Sequence, residues 1–309
     1  MTELQRYLAE EVAEDHVDGI ITRREAARRL GLLGVSSSAA AGLLGAAASD
    51  AAARRGRAGA HHDRPRGEGP PGAHGRTGDW APVATEAITF SGPNGTLQAA
   101  WAPVAGSKVR GAVLVIHENR GLNDHIRSVA GRFAASGYAA LALDLLSEEG
   151  GTAAFPGEAE VAAALSAVPP ERFDADMQAA VGELSRRAPR APLAAIGFCF
   201  GGGMVWRLLA AGERRLDAAA PFYGPFPAGA DLGGAKAAVL GVYGGLDDRV
   251  NATRDAARAA LEAAGLDFRI VTFTQADHAF FNDTGPRFNA PAAEEAWHRV
   301  LSWFGRHGD

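Results

Sequence analysis

The sequence predicts an α/β protein with a doubly wound, mostly parallel sheet, preceded by an N-terminal extension that is disordered or helical. Two observations favour this fold. From residue 80 onward, short apolar runs alternate with amphipathic segments of helical period. Several of these runs, including 112–116, are apolar throughout, as expected of parallel strands buried on both faces. A chain of 309 residues that is 47% hydrophobic is long enough to bury such a core.

The predicted elements follow in chain order. Segments 87–90 and 97–101 alternate in polarity around a Gly-Pro-Asn-Gly turn, which predicts paired edge strands. Apolar runs predict buried strands at 112–116, 139–143 and 193–196, and further strands are predicted at 218–223, 237–243 and 268–273. Helical periodicity predicts helices at 126–136, 158–165, 172–187, 203–210, 253–264 and 292–304. In sheets of this kind, ligands bind at the carboxyl ends of the strands.

Residues 1–53 resemble an export signal. A basic stretch that opens with Thr22-Arg23-Arg24 precedes an Ala- and Gly-rich apolar stretch at 30–48. The opening is similar to a twin-arginine signal, although Ala26 and Ala27 stand where bulky apolar residues are common. The apolar stretch is too weakly hydrophobic for a stable membrane span. We therefore expect export to the cell envelope or medium through the twin-arginine machinery.

The alternative for this segment is an Ala-rich, solvated helix with a basic face in a cytoplasmic protein. Leu4, Leu8, Val12 and Val17 could line one face of a short amphipathic helix at its start. In either case, residues 1 to about 79 are not expected to belong to a globular domain.

Residues 54–79 are dense in Gly, Pro, Arg and His and predict a disordered linker. His61, His62 and His74 could bind a metal weakly, but a solvated linker is favoured, and no metal site is expected. The single cysteine excludes an intrachain disulfide and a cysteine-based zinc site. The net charge of −5 argues against nucleic acid as a partner. The globular domain is predicted to span residues 80–309.

The only cysteine, Cys199, lies in a Gly-Phe-Cys-Phe-Gly sequence between a predicted strand and a predicted helix. This is the G-x-S-x-G pattern of a nucleophile elbow with cysteine in place of serine. Gly197 and Gly201 leave room for a sharp turn that side chains at these positions would obstruct. The alternative is an inert, buried cysteine in an ordinary strand–helix turn, and this stretch alone leaves both interpretations open.

Three other predicted strands end in residues that carry chemistry. Glu118 ends one, Asp247 follows another, and His278 follows the last. The chain order of nucleophile, acid and histidine is typical of α/β-hydrolases. Each residue also has a structural alternative: Asp247 could cap a helix, His278 could lie in a surface loop, and Glu118 could pair with a nearby arginine. Asp248 competes with its neighbour for the acid position.

These motifs resemble the dienelactone hydrolase family (carboxymethylenebutenolidase-like proteins with the α/β-hydrolase fold), over residues 84–305. The resemblance implies six site residues: Cys199 as nucleophile, His278 as base, Asp247 as orienting acid, Glu118 as a control on the ionisation of the cysteine, and the backbone amides of Phe200 and Asn119 as the oxyanion hole. The Gly-x-x-Asp-x-x-Val spacing of the family favours Asp247 over Asp248. The resemblance implies no metal and no organic cofactor.

The sequence departs from the family at the substrate carboxylate. Dienelactone enzymes of the family bind it with two arginines, and this chain has Glu148 and Asn282 near those places. Arg120 and Arg287 are the candidate substitutes, but the neighbourhood of Glu148 and Glu149 would repel an anion. A neutral ester or lactone is therefore the expected substrate.

The sequence thus predicts a hydrolase that cleaves a small ester or lactone through a cysteine nucleophile and an acyl-enzyme. One alternative is an amide or thioester hydrolase of the same fold. The other is a non-catalytic binding protein that retains the fold.

Overall fold

The computed structural model describes residues 1–58, 81–104, 106 and 109–308. The helices of these residues are α1 (Glu3–Val17), α2 (Arg23–Leu32), α3 (Ser37–Ala58), α4 (Asp124–Ala135), α5 (Glu158–Ala167), α6 (Pro170–Arg187), α7 (Phe200–Ala210), α8 (Asp248–Asn251), α9 (Arg254–Ala263) and α10 (Ala290–His307). The strands are β1 (Glu86–Ser91), β2 (Thr96–Ala102), β3 (Gly111–Ile116), β4 (Tyr138–Leu143), β5 (Leu193–Phe198), β6 (Ala218–Phe222), β7 (Ala238–Gly244) and β8 (Phe268–Phe273).

The chain divides into two compact units. The smaller one combines Met1–Gly75 with Phe155–Val168, and the larger one combines Arg76–Ala154 with Pro169–Asp309. Within the smaller unit, α1, α2 and α3 contact one another, and α5 contacts α1 and α2. No helix of the described residues has both the length and the hydropathy that crossing a membrane requires.

Local sequence explains the N-terminal helices. Thr2 and Gln5 form a reciprocal capping box at the start of α1, and Thr22 caps α2. Of the four apolar residues that were predicted to line one face of α1, Leu8 and Val12 are buried. Arg28 of α2 donates a hydrogen bond of 2.6 Å to Glu160 of α5.

Residues 1–79 were expected to lie outside the globular domain, and the structure describes residues 1–58 of them as helices that pack with one another. Their helices pack with α5, which lies 100 residues or more further along the chain and gives no local sequence signal. Helix α3 runs across the predicted boundary at residue 54 and continues to Ala58. The remainder of the predicted linker, including the three linker histidines, lies outside the described residues.

The larger unit holds one eight-stranded sheet in the order β1-β2-β4-β3-β5-β6-β7-β8. The first two strands pair antiparallel, as does β2 with β4, and β3 to β8 run parallel. The predicted doubly wound, mostly parallel sheet is confirmed. Every predicted strand is present, and β3 to β7 are buried along their whole length, as their continuous apolar sequences require.

Helices cover the sheet and fill the core. Helices α6 and α7 contact each other and the central strands, while α4 and α10 meet through aromatic side chains. Because β3, β5, β6 and β7 are parallel, their carboxyl ends lie along one edge of the sheet. The residues that follow these four strands are therefore neighbours in space.

The aromatic cluster between α4 and α10 is the first target for a stability test. Trp297 is fully buried, and its ring centroid lies 4.6 Å from that of Phe133 and 6.1 Å from that of Phe281. Because truncation leaves a large cavity, we expect Trp297→Ala to lower the free energy of unfolding by about 3–5 kcal/mol. The neighbouring His298 is exposed, so His298→Ala should change it by less than about 0.5 kcal/mol. Urea unfolding would measure both, and equal midpoints for the two variants would contradict this packing.

Candidate active site

Cys199 joins β5 directly to α7 in a strained backbone conformation, with φ of 56° and ψ of −120°. A left-handed φ is uncommon for a residue with a side chain and tends to occur at functional sites. The Cys199 amide donates a hydrogen bond of 3.1 Å to the carbonyl of Phe222 at the end of β6. Helix α7 begins at Phe200, three residues earlier than predicted, so the cysteine lies at the N-terminus of the helix. The elbow predicted from the sequence is present.

Two glycines allow this turn because of close backbone contacts. A Cβ atom on Gly197 would lie 2.1 Å from the carbonyl oxygen of Gly201. A Cβ atom on Gly201 would lie 2.4 Å from the oxygen of Ile116 and 2.5 Å from that of His117. Real Cβ atoms do not approach backbone this closely, so both positions require glycine.

Asp247 and His278 contact each other next to this elbow. His278 Nδ1 lies 2.6 Å from Asp247 Oδ2, and both side chains are buried. The other oxygen of Asp247 accepts a hydrogen bond of 3.1 Å from the amide of Val250. Asp248 is exposed at the start of α8, so Asp247 is the acid that contacts the histidine.

One ring nitrogen of His278 lies within 4.8 Å of the sulfur of Cys199. Since Nδ1 is bonded to Asp247, Nε2 is the nitrogen available to the thiol. Hydrogen bonds at catalytic sites are often long before substrate binds, so this separation is compatible with proton transfer. The structure thus brings together the three residues expected to form the triad.

The electrostatics of the three residues are coupled. Burial alone would lower the pKa of His278, but the negative charges of Asp247 and Cys199 raise the pKa well above its ordinary value. Burial would raise the pKa of Asp247, and the charge and hydrogen bond of His278 lower it overall. The site therefore favours a charged imidazole once the Cys199 thiol has given up its proton.

Glu118 is the fourth expected residue, and it is buried beside the end of β3. Its backbone carbonyl accepts a hydrogen bond of 2.6 Å from His117 Nδ1. His117 Nε2 in turn accepts one from the amide of Leu145, so the His117 ring is neutral, in agreement with the lowering of its pKa by burial. This pair of bonds fixes the backbone that carries Glu118.

The carboxylate of Glu118 binds an amide instead of a cation. Its Oε2 accepts a hydrogen bond of 2.7 Å from Asn282 Nδ2, while Oε1 is buried with no partner among the described residues. The backbone and hydroxyl of Thr284 donate to Asn282 Oδ1, which fixes the orientation of the amide. Sequence reasoning identified Asn282 only as a departure from the family, and the contact with Glu118 was missed because the two residues are 164 positions apart.

The acidic residues after β4 are partly neutralised. Arg172 of α6 donates hydrogen bonds to both Glu148 and Glu149. Asp176 lies nearby, and burial raises its pKa to about 6. Three carboxyl groups therefore surround the single guanidinium of Arg172, and the cluster is still negative. Because Arg172 offsets part of this charge, the cluster repels an anion less strongly than the sequence suggested. Arg287, considered as a substitute cation, lies 4.0 Å from Asp277.

The two expected oxyanion donors follow neighbouring strands of the sheet, β3 and β5. Asn119 lies in the turn after β3, and Phe200 is the first residue of α7. The contact of Gly201 with the end of β3 brings this turn against the elbow. The assignment of their backbone amides as the oxyanion hole stays a prediction.

A parallel α/β sheet with a strained nucleophile elbow and an acid–histidine pair at its carboxyl edge defines an α/β-hydrolase. The Dienelactone hydrolase family model matches residues 100–308, more than half of the chain, and the protein belongs to that family. It is an enzyme that hydrolyses ester bonds.

Individual relatives agree with this assignment. A carboxymethylenebutenolidase-like protein of Escherichia coli is 34% identical over 209 residues, which cover 63% of this chain and 77% of the relative. Another from Methylorubrum extorquens is 34% identical over 213 residues, covering 63% and 72%. The crystal structure of a dienelactone hydrolase-like protein from Klebsiella pneumoniae superposes with a TM-score of 0.62 at 29% identity, covering 72% of this chain and all of that one. A dienelactone hydrolase-like promiscuous phosphotriesterase from metagenomic libraries has a TM-score of 0.60 at 26% identity, covering 73% and 98%.

The two neighbouring aspartates provide a test of the geometry. Because only Asp247 contacts His278, we expect Asp247→Asn to lower kcat/KM for an aryl ester by about 10²–10⁴-fold. Asp248→Asn removes an exposed charge and should change kcat/KM by about twofold or less. Steady-state kinetics of both purified variants would measure the difference. A larger loss in Asp248→Asn would contradict the contact seen here.

Proposed function

We propose that this family member cleaves small, neutral esters or lactones with Cys199 as nucleophile, His278 as general base and Asp247 as the orienting acid. The observation that carries the proposal is the alignment of the three side chains: Asp247 lies 2.6 Å from one nitrogen of His278, and the thiol lies within 4.8 Å of the ring. Along the chain, the nucleophile comes first, the acid second and the histidine last, each after the end of a strand. This is the chain order of α/β-hydrolases.

In the first half of the reaction, His278 Nε2 takes the proton of the Cys199 thiol. The thiolate attacks the ester carbonyl, and the amides of Phe200 and Asn119 bind the oxyanion that develops, which is worth about 10²–10³-fold in rate per donor. The tetrahedral intermediate then collapses. His278 returns the proton to the departing alkoxide, an alcohol leaves, and a thioester remains on Cys199.

In the second half, water replaces the alcohol. His278 removes a proton from the water as it attacks the thioester, and the oxyanion again occupies the two amides. Collapse expels the thiolate, which recovers the proton from His278, and the carboxylic acid product is released. For a lactone, the alcohol and the acid belong to one product molecule.

The polar groups around the thiol support a neutral substrate. Asn282 carries no charge and is already bonded to Glu118, and Glu148 is held by Arg172. The buried Glu118 carboxylate would repel a substrate carboxylate placed next to it. Amide or thioester hydrolysis remains the second candidate chemistry, and it differs only in the leaving group. A non-catalytic binding role is the third candidate.

Replacement of the nucleophile tests the proposal. Cys199→Ala should reduce hydrolysis of neutral aryl esters to the uncatalysed background, since the acyl-enzyme cannot form. With the wild type, rapid quenching and mass spectrometry should find the acyl group on Cys199, which is the only cysteine. Retention of the urea midpoint in Cys199→Ala would show that the fold is intact.

Two outcomes would count against this proposal. Turnover by Cys199→Ala at the wild-type rate would remove the cysteine from the mechanism. A wild type that hydrolyses no ester or lactone, but turns over amides or thioesters, would favour the second candidate.

Export by a twin-arginine route is a separate proposal. It is supported by the sequence and by the exposure of Arg23 and Arg24 at the start of α2, where a receptor could reach them. Arg23→Lys/Arg24→Lys should cause the protein to accumulate in the cytosol of the producing cells. The matched control is Arg28→Lys/Arg29→Lys, whose side chains bind Glu25. Fractionation with N-terminal sequencing would measure this, and cytosolic wild type that retains Met1 would contradict export.

A further inference from the structure

Tyr223 lies beside the nucleophile, although the sequence gave no reason to include it in the site. It follows β6, the strand between the one that ends at the elbow and the one that precedes Asp247. The hydrogen bond from the Cys199 amide to Phe222 joins the two strand ends directly. The Tyr223 ring also contacts the His278 ring edge to face, with centroids 5.3 Å apart. Tyr223 therefore lies next to both reacting residues.

The backbone of Tyr223 is strained. Its φ of 34° is positive, as is that of Cys199, and a bulky residue in this region is a conformational outlier. Such strain costs about 1–3 kcal/mol and persists only where the surroundings impose it. Here the Tyr223 amide is held by a bond of 2.7 Å to the carbonyl of Val242, and Gly224 packs against Gly202 of α7. The strain directs the side chain into the site.

The phenol group is buried next to the amide of Phe281, and no acceptor for its proton is found among the described residues. Burial raises the pKa of Tyr223 well above its ordinary value, and the charges of Glu118 and Cys199 add to this effect, which the nearby amide of Phe281 opposes. The group is therefore a neutral phenol throughout the working pH range. A buried hydroxyl proton without an acceptor is unfavourable, so a role in the site would explain why the hydroxyl is kept.

We propose that the Tyr223 hydroxyl is a further catalytic group, which donates a hydrogen bond to the sulfur of Cys199 when that sulfur is a thiolate. This inference rests on the proposed function, because it requires Cys199 to ionise. The hydroxyl keeps its proton throughout the reaction. It supports the thiolate before attack and again when the thiolate leaves the thioester during deacylation.

A second donor is useful because of the charges that face the sulfur. His278, from the loop after β8, favours the thiolate, and Asp247 acts through it. Glu118, at the end of β3, opposes the thiolate by like-charge repulsion, and Asn282 offsets only part of that charge. A neutral donor from β6 would lower the pKa of the thiol without adding another charge. Its removal must therefore raise the pKa of Cys199.

The test is the pH dependence of iodoacetamide alkylation in the full-length protein, read by mass spectrometry at the only cysteine. Tyr223→Phe keeps the ring and removes only the hydroxyl. We expect its alkylation midpoint to rise by about one pH unit, since a hydrogen bond to a charged group is worth at least that much. We also expect kcat/KM for a neutral aryl ester to fall about tenfold at pH 7, with KM little changed.

The matched control is Tyr243→Phe. Tyr243 lies on β7 and is also buried, with a hydroxyl that has no partner among the described residues. The charges of Arg254 and Arg258 act on it, and that of Asp247 acts less strongly. The control should leave the alkylation midpoint at the wild-type value, whereas a general loosening of the core would move both variants.

Three outcomes would overturn the inference. A Tyr223→Phe midpoint equal to that of the wild type would remove the hydroxyl from the thiolate. Equal shifts in both variants would show a structural effect only. A wild-type midpoint near that of a free thiol, about 8.5, would instead overturn the proposed function and this inference with it.

Discussion

The close packing of α7 against the ends of β3 and β6 determines where the thiol of Cys199 lies. Gly201 approaches the carbonyl oxygens at the end of β3, and a Cβ atom on Gly202 would come within 2.4 Å of the carbonyl of Phe222. These contacts leave one path for the chain between β5 and α7, and that path requires a positive φ at the cysteine. The alternative of a relaxed turn would need α7 to move away from the sheet and expose its buried residues.

The same edge of the sheet must also accommodate buried charge. Two carboxylates, Asp247 and Glu118, are almost fully buried there, and an isolated buried carboxylate is strongly unfavourable. Asp247 is compensated by His278, whose pKa is raised as a result. Glu118 accepts a hydrogen bond on one oxygen only, from the neutral amide of Asn282. The site therefore has an acidic character, which agrees with the proposed neutral substrate.

Local patterns were sufficient to predict most of the fold and part of the site. Continuous apolar runs identified β3 to β7 because strands buried on both faces admit few polar residues. The glycines around Cys199 predicted the elbow because backbone contact excludes side chains there. The Gly-x-x-Asp spacing favoured Asp247 over Asp248, and the geometry agrees, since only Asp247 contacts the histidine.

Features that depend on distant residues could not be predicted. The helices of the N-terminal segment pack with α5, and helical period alone does not reveal a partner so far along the chain. Asn282 and Glu118 form their hydrogen bond across 164 positions, so the sequence showed a missing arginine and not the amide–carboxylate pair. Tyr223 was missed because its apolar neighbours made it resemble the last residue of a buried strand. Its strained φ is a tertiary effect of the contact between Gly202 and Gly224, which no local pattern encodes.

The positive φ values of Cys199 and Tyr223 have a common origin. The two residues follow adjacent parallel strands, and one hydrogen bond, from the Cys199 amide to Phe222, links the places where both strands end. Beyond that bond one segment enters α7 and the other continues to Gly224, which packs against Gly202, and the backbone has a positive φ at both strand ends. A turn of this kind directs both side chains toward the edge where His278 lies. The strain that presents the thiol thus also presents the phenol, and a substitution that relaxes either backbone is expected to disturb the other.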